Sequence, residues 1–166
     1  MPAEQILERL MREYGNSVFR MCYLYLRDYY LAEDATQETF IKAMKSYDSF
    51  LHNSEEKTWL IRIAINSCKN IMRTRWFRFP MINIDDQQNI VVHDFTGDVI
   101  EKDNISKAIM SLSKSDREII ILYYYQELTV REISYITRKK ENAINQQLRR
   151  AREKLKNYLK EDSHDR

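Results

Sequence analysis

Apolar residues recur along most of this chain at steps of three and four, the spacing that lays one stripe down an α-helix. The first stripe begins near Ala3, is expected to break around Gly15 and Asn16, and resumes with Val18, Met21, Cys22, Tyr25 and Leu26. A second helix starts near Tyr30, with Ala32, Ala35, Phe40, Ala43 and Met44 inward and Glu33, Asp34, Gln37, Glu38 and Lys42 outward. After a polar stretch at 46–57, Ser54 followed by Glu55 and Glu56 predicts an N-cap with first-turn acids. The third helix should run from about 55 to 77, with Trp59, Leu60, Ile63, Ala64, Cys68, Ile71 and Met72 on its apolar side.

Residues 80–98 break the pattern. They are acidic, contain Pro80 and Gly97, and read as a linker between two domains. Periodicity returns with a short helix at about 100–112. Ser115 with Glu118 predicts the next N-terminus, and the run IIILYYY at 119–125, apolar all round, should be buried. Thr129 with Glu132 forms a reciprocal capping pair ahead of Ile133 and Ile136. Four polar residues, Arg138 to Glu141, interrupt that helix, and Ile144, Leu148, Ala151 and Leu155 mark the buried stripe of another. Two helices joined by so short a turn have the shape of a helix-turn-helix, whose second helix enters the DNA major groove. The expected layout is a first domain at 1–79, a flexible linker at 80–99, a second domain at 100–160 and a frayed tail at 161–166.

Composition narrows the class. Two glycines and two prolines in 166 residues leave a β-rich fold short of turn residues, so the chain reads as all-α: two small helical domains, the first of three to four helices. The net charge of +2 says little, but its distribution says more. Residues 57–84 contain six basic residues and no acid, 85–103 are acidic, and 138–160 are basic again, a footprint suited to nucleic acid. Cys22 and Cys68 sit inside apolar patterns and read as buried reduced thiols. The start lacks the apolar core of a secretory signal, and 119–125 is far too short to span a bilayer, so a cytoplasmic protein is expected.

The candidate chemistry is that of binding. The outward face of the last helix carries Asn142, Asn145, Gln146, Arg149, Arg150 and Arg152, amides and guanidiniums able to read base edges or hold phosphates; a solvated basic face is the plainer alternative. In RTRWFRF at 73–79, arginines alternate with aromatic rings, which suits single-stranded nucleic acid or, equally, a hydrophobic cap with snorkelling arginines. Asp34 and Glu38 lie one turn apart without a histidine or third inward carboxylate, which favours protein docking or plain solvation over metal. His52, His93 and His164 are scattered and there is no Gly-rich phosphate loop, so no enzyme, cofactor or small-molecule substrate is expected.

Four segments in order resemble the extracytoplasmic-function (ECF) sigma factors of bacterial RNA polymerase. AEDATQETFIKA at 32–43 is similar to that group's clamp-docking helix, and KTWLIRIAINSCKNIMR at 57–73 to its promoter-melting helix. LSKSDREIIILYYYQELTVREISYI at 112–136 and LRRAREKL at 148–155 resemble its region 4. The resemblance implies a promoter-specificity subunit that binds the clamp coiled coil and flap of core polymerase and helps to open promoter DNA. Asp34, Gln37 and Glu38 would meet the clamp. Phe50, His52 and Asn53, with Trp59, would capture a flipped base of the −10 element, while Lys69, Arg73, Arg75 and Trp76 hold nearby DNA. The second domain would read the −35 element, expected to contain adenine, through the last-helix residues named above. A partner anti-sigma factor, possibly membrane-anchored, is also implied. Three positions depart from the family pattern: Arg138 for a turn glycine, Lys140 for a capping serine, and Asn142-Ala143 for Gly-Thr. The competing reading is a helix-turn-helix regulator that binds duplex DNA through this hairpin and dimerises through its N-terminal domain.

Overall fold

The computed structural model describes residues 2–50, 54–78 and 104–164, apart from the side chains at 75–78 and 162–164. Every regular element among them is helical. The chain divides into two compact units, one within residues 1–92 and the other within residues 93–166. The expected linker at 80–99 lies outside the described residues.

In the first unit, α1 spans Ala3–Leu26, α2 Tyr29–Ser46 and α3 Glu56–Arg78, with a 3₁₀ turn at Tyr47–Ser49. Contrary to expectation, α1 runs through Gly15 without a break. Glycine inside a helix costs about 1 kcal/mol. That cost is outweighed because Ile6 and Leu10 before it and Val18, Met21, Cys22 and Tyr25 after it keep one phase and are all buried. The turn into α2 is two residues long. Arg27 takes a left-handed conformation (φ 61°), donates its N–H to Tyr23 O at 2.7 Å, and Asp28 caps α2 by accepting from Leu31 N–H at 2.9 Å.

The core closes with Ala32, Ala35, Phe40 and Ala43 of α2 against Leu60, Ile61, Ala64, Ile65 and Cys68 of α3. Ile61 and Ile65 are thus central, whereas Ile63, expected inward, is only half-buried. Both cysteines are buried and free. The start of α3 also differs from expectation. Glu55, not Ser54, holds the capping place, its carbonyl accepting from Trp59 N–H at 3.0 Å.

In the second unit, α4 covers Asn104–Ser111, α5 Lys114–Ile120, α6 Val130–Thr137 and α7 Glu141–His164. Ser113, not Ser115, caps α5, accepting from Asp116 N–H. α5 passes directly into a π turn, Ile121–Tyr125, in which Gln126 N–H reaches back five residues to Ile121 O at 3.1 Å. This widened turn sends Ile121 and Leu122 into the core but leaves Tyr124 and Tyr125 exposed, so the apolar run is not buried all round. α7 continues through His164, into the segment expected to fray.

Candidate nucleic-acid interfaces

The helix-turn-helix is built from local chemistry. Thr129 Oγ1 accepts from Glu132 N–H at 3.1 Å while Glu132 Oε1 accepts from Thr129 N–H at 3.2 Å, the reciprocal cap expected for α6. Ile133 and Ile136 are buried. Arg138, where the family pattern has glycine, adopts the left-handed conformation itself (φ 63°) and donates its N–H to Ser134 O at 2.8 Å. Ser134 Oγ donates to Lys139 O at 2.6 Å, which ties the turn back to α6. Lys140 stands in the capping place of α7 but contributes only its carbonyl, accepting from Ile144 N–H at 3.0 Å. Relative to serine there, about 1 kcal/mol of capping is forgone.

Ile144, Leu148 and Ala151 of α7 are buried, and Leu155 is half-buried. Asn142, Asn145, Gln146, Arg149 and Arg150 are all exposed away from that stripe. Arg152 is exposed too, but it is engaged: its Nε donates to Tyr124 Oη, and its guanidinium lies 5.5 and 5.6 Å from the Tyr123 and Tyr124 ring centres. On the other flank of α7, Gln147 Nε2 donates to Asp116 Oδ1 at 3.0 Å and to Ser115 Oγ at 2.7 Å. Its Oε1 accepts from Lys139 Nζ at 3.3 Å, and Lys154 Nζ approaches Asp116 Oδ2 to 2.7 Å. Burial pushes the Asp116 carboxyl up, but hydrogen bonds from Lys154 and Gln147 more than offset this and leave it below its ordinary value.

The first unit holds a different surface. Trp59 stacks on Phe50 (ring centres 4.7 Å apart, 26° between planes) and meets Tyr47 edge-on at 5.8 Å. Phe50 is 8% exposed and forms the floor of this wall. His52 and Asn53 lie outside the described residues. Beside the rings, Arg9 donates twice to Glu56, to Oε1 at 2.9 Å and Oε2 at 2.7 Å. Tyr47 Oη donates to Glu56 Oε2 at 2.6 Å and Tyr14 Oη to Oε1 at 3.2 Å. Hydrogen bonding from Arg9, joined by that from the two tyrosines, holds the Glu56 carboxyl at about 2 despite partial burial. This clasp was invisible in sequence, where Glu56 counted only as a first-turn acid. Polar residues 47 positions apart carry no shared period.

Further along α3, Lys69 is half-buried, and exposed Arg73 donates to Asn70 Oδ1 at 2.9 Å. Arg75 and Trp76 lie in the helix, but their side chains are outside the description. On α2, Asp34 and Gln37 are exposed, and Glu38 Oε1 pairs with Lys42 Nζ at 2.7 Å. Tyr30 and Ile41, 47% and 44% exposed, fall on the same face at helical spacing, an apolar contribution that the sequence reading missed.

Residues 10–78 match the family model for sigma-70 region 2, and residues 102–155 match that for sigma-70 region 4. Over 156 residues the chain is 31% identical to the ECF RNA polymerase sigma factor SigM of Bacillus subtilis, covering 90% of this chain and 93% of that one. It is 28% identical over 160 residues to the RNA polymerase sigma factor YlaC of the same organism, covering 92% and 91%. Among solved structures it resembles the sigma factor RpoE of Bartonella quintana, crystallised with the anti-sigma factor NepR. There the TM-score is 0.75 at 25% identity, over 92% of this chain and 98% of that one. CnrH, in complex with the cytosolic domain of CnrY, shares the fold, with a TM-score of 0.68 at 19% identity over 96% and 90%. Region 2 and region 4 in one all-α chain, with full-length relatives of the same kind, make this protein a member of the ECF RNA polymerase sigma factors.

Proposed function

We propose that this sigma factor binds core polymerase through the Tyr30–Asp34–Gln37–Ile41 face of α2 together with Glu38, and through flap contacts of its second unit. In this reading it recognises the −35 element through α7 and opens DNA at the −10 element beside Trp59. The observation that carries this reading is the presence, in one chain, of two unlike surfaces whose chemistry suits nucleic acid. One is an amide-and-guanidinium face on a capped helical hairpin, suited to base edges in duplex DNA. The other is a stacked aromatic wall beside a charged clasp, suited to an unstacked base. A regulator that binds duplex DNA alone has no use for the second surface, and family membership weighs against that reading.

Asn142, Asn145, Gln146 and Arg149 are the residues proposed to meet bases, since the N-terminal part of a recognition helix reaches deepest into the groove. Trp59 would stack on the extruded base, with Phe50 beneath it and His52 and Asn53 alongside; Lys69, Arg73, Arg75 and Trp76 would hold the adjacent strand. Stacking on an aromatic ring contributes about 1–3 kcal/mol per base, comparable with the cost of extrusion. The chemistry of RNA synthesis belongs to the polymerase, and no catalytic role is proposed for this chain. Among the described residues no helix is long and apolar enough to cross a membrane, and the proposed site of action is the cytoplasm. RpoE has been crystallised with the anti-sigma factor NepR, which supports an anti-sigma partner here as well. The test is transcription from a short promoter selected by the reconstituted holoenzyme. Transcription should require both core enzyme and this protein, and equal transcription by core alone would sink the reading.

A further inference from the structure

We infer that Gln147 and Arg152 are positioning residues, which fix the rotation of α7 about its own axis and do not themselves contact DNA. This rests on the reading of α7 as the −35 helix. At about 100° per residue, Gln147 and Arg152 project some 70° to either side of the Ile144–Leu148–Ala151 stripe. One flank is held by Gln147 on Asp116, Ser115 and Lys139, the other by Arg152 on Tyr123 and Tyr124. Rotation in either sense must break one set of contacts.

Such pins are needed because of what α7 lacks. Its start has no side-chain cap, since Lys140 offers only a carbonyl, and the preceding turn rests on a left-handed arginine. Its buried stripe is short, and apolar contact is non-directional. A rotation of about 20° displaces a side-chain atom some 6 Å from the axis by about 2 Å. That is more than a hydrogen bond to a base edge tolerates. Asp116, only 7% exposed, cannot reach DNA, so any effect of changing it on sequence preference must pass through α7.

The experiment uses holoenzyme assembled from the full chain. It measures the ratio of affinities for a duplex promoter, selected from random DNA by the wild-type holoenzyme, and the same duplex with its −35 element scrambled, over a range of salt concentrations. Asp116→Ala and Gln147→Ala should each lower this ratio roughly five- to tenfold. The double variant should lose clearly less than the two single losses combined, because the Gln147–Asp116 contact is common to both. Asp116→Asn, which keeps an acceptor for Gln147, should recover most of the ratio. It also carries the test, with Gln147→Ala, if Asp116→Ala does not fold. Arg152→Ala should lower the ratio with an unchanged salt dependence.

Additive losses at Asp116 and Gln147 would overturn the inference by making Gln147 a base contact. So would an unchanged ratio in Gln147→Ala, or a salt slope reduced by about one in Arg152→Ala, the mark of a phosphate contact. Replacing Asn142, Asn145, Gln146 and Arg149 together with alanine separates the two levels: if this leaves the ratio unchanged, the −35 reading of α7 fails. If it lowers the ratio while the Asp116 and Gln147 variants do not, only the positioning role fails.

Discussion

Replacing Glu56 with glutamine keeps the side chain's size and removes its charge. In the native protein this carboxylate is 20% exposed and Arg9 26%, so the pair is only partly screened by water. Its pKa falls from 4.5 to about 2 on folding. A depression of that size corresponds to about 3 kcal/mol of stability at neutral pH. The sign follows from proton uptake. Because the folded value is the lower one, the stabilisation is complete well above pH 4.5 and is lost as pH falls towards 2. Between pH 7 and pH 3, roughly 2 kcal/mol should disappear.

Glu56→Gln should therefore lower the stability of the first unit by about 2–3 kcal/mol at pH 7. That is a urea-midpoint shift of about 1–2 M for a unit of this size. The variant should also lose the part of the acid sensitivity that Glu56 supplies. The assay is tryptophan fluorescence, since both tryptophans, Trp59 and Trp76, lie in the first unit and Trp59 packs beside the clasp. A wild-type midpoint at pH 7, together with a wild-type decline towards pH 3, would refute the reasoning and make the clasp a surface contact without energetic weight.

Three further outcomes can be checked directly. A Cβ added at Gly15 meets nothing within 4 Å, so Gly15→Ala should stabilise the first unit by about 0.5–1 kcal/mol; an unchanged or lowered urea midpoint would contradict this. Arg138→Gly relieves a left-handed arginine but loosens the unfolded chain, for a net gain of about 0.5 kcal/mol in the second unit, measurable by hydrogen exchange of the α6 and α7 amides. Asp34→Ala combined with Glu38→Ala should weaken association with core polymerase about tenfold without changing helix content, since Asp34 is exposed and Glu38 is only half-buried, paired with Lys42 on the helix surface; competition binding against the unaltered chain measures it.

What could be read from sequence was what repeats or lies close by. The buried stripe of α7, the Thr129–Glu132 cap and the inward alanines of α2 follow from helical period or from residues three apart. Arg138 and Lys140 stood out as misfits, but how the turn tolerates them depends on Ser134 and Thr137 of the preceding helix. The start of α5 was ambiguous because Ser113 and Ser115 each have an acid three residues later, and only packing chooses between them. The Arg9–Glu56 and Asp116–Gln147 contacts join residues 47 and 31 positions apart. They were out of reach because a polar side chain's partner is set by three-dimensional packing. The wall around Trp59 was half-legible: the tryptophan was identified, but Tyr47 was missed and Phe50 proved to be its floor.

The π turn at Ile121–Tyr125 makes chain length a structural variable in its own right. It absorbs one more residue than an α turn would, and each residue of a helix advances the chain by about 100°. Removing any one of its three tyrosines would let the turn close to α geometry while Gln126, Leu128 and the hairpin that follows keep their phase relative to α5, because the residue lost is the one the wider turn absorbs. Deleting a residue from α5 itself, which has no spare residue to give up, would swing the hairpin by about 100° unless the π turn closes in compensation. The π turn is therefore a one-residue reserve: it lets this segment lose a residue without redirecting the hairpin that follows.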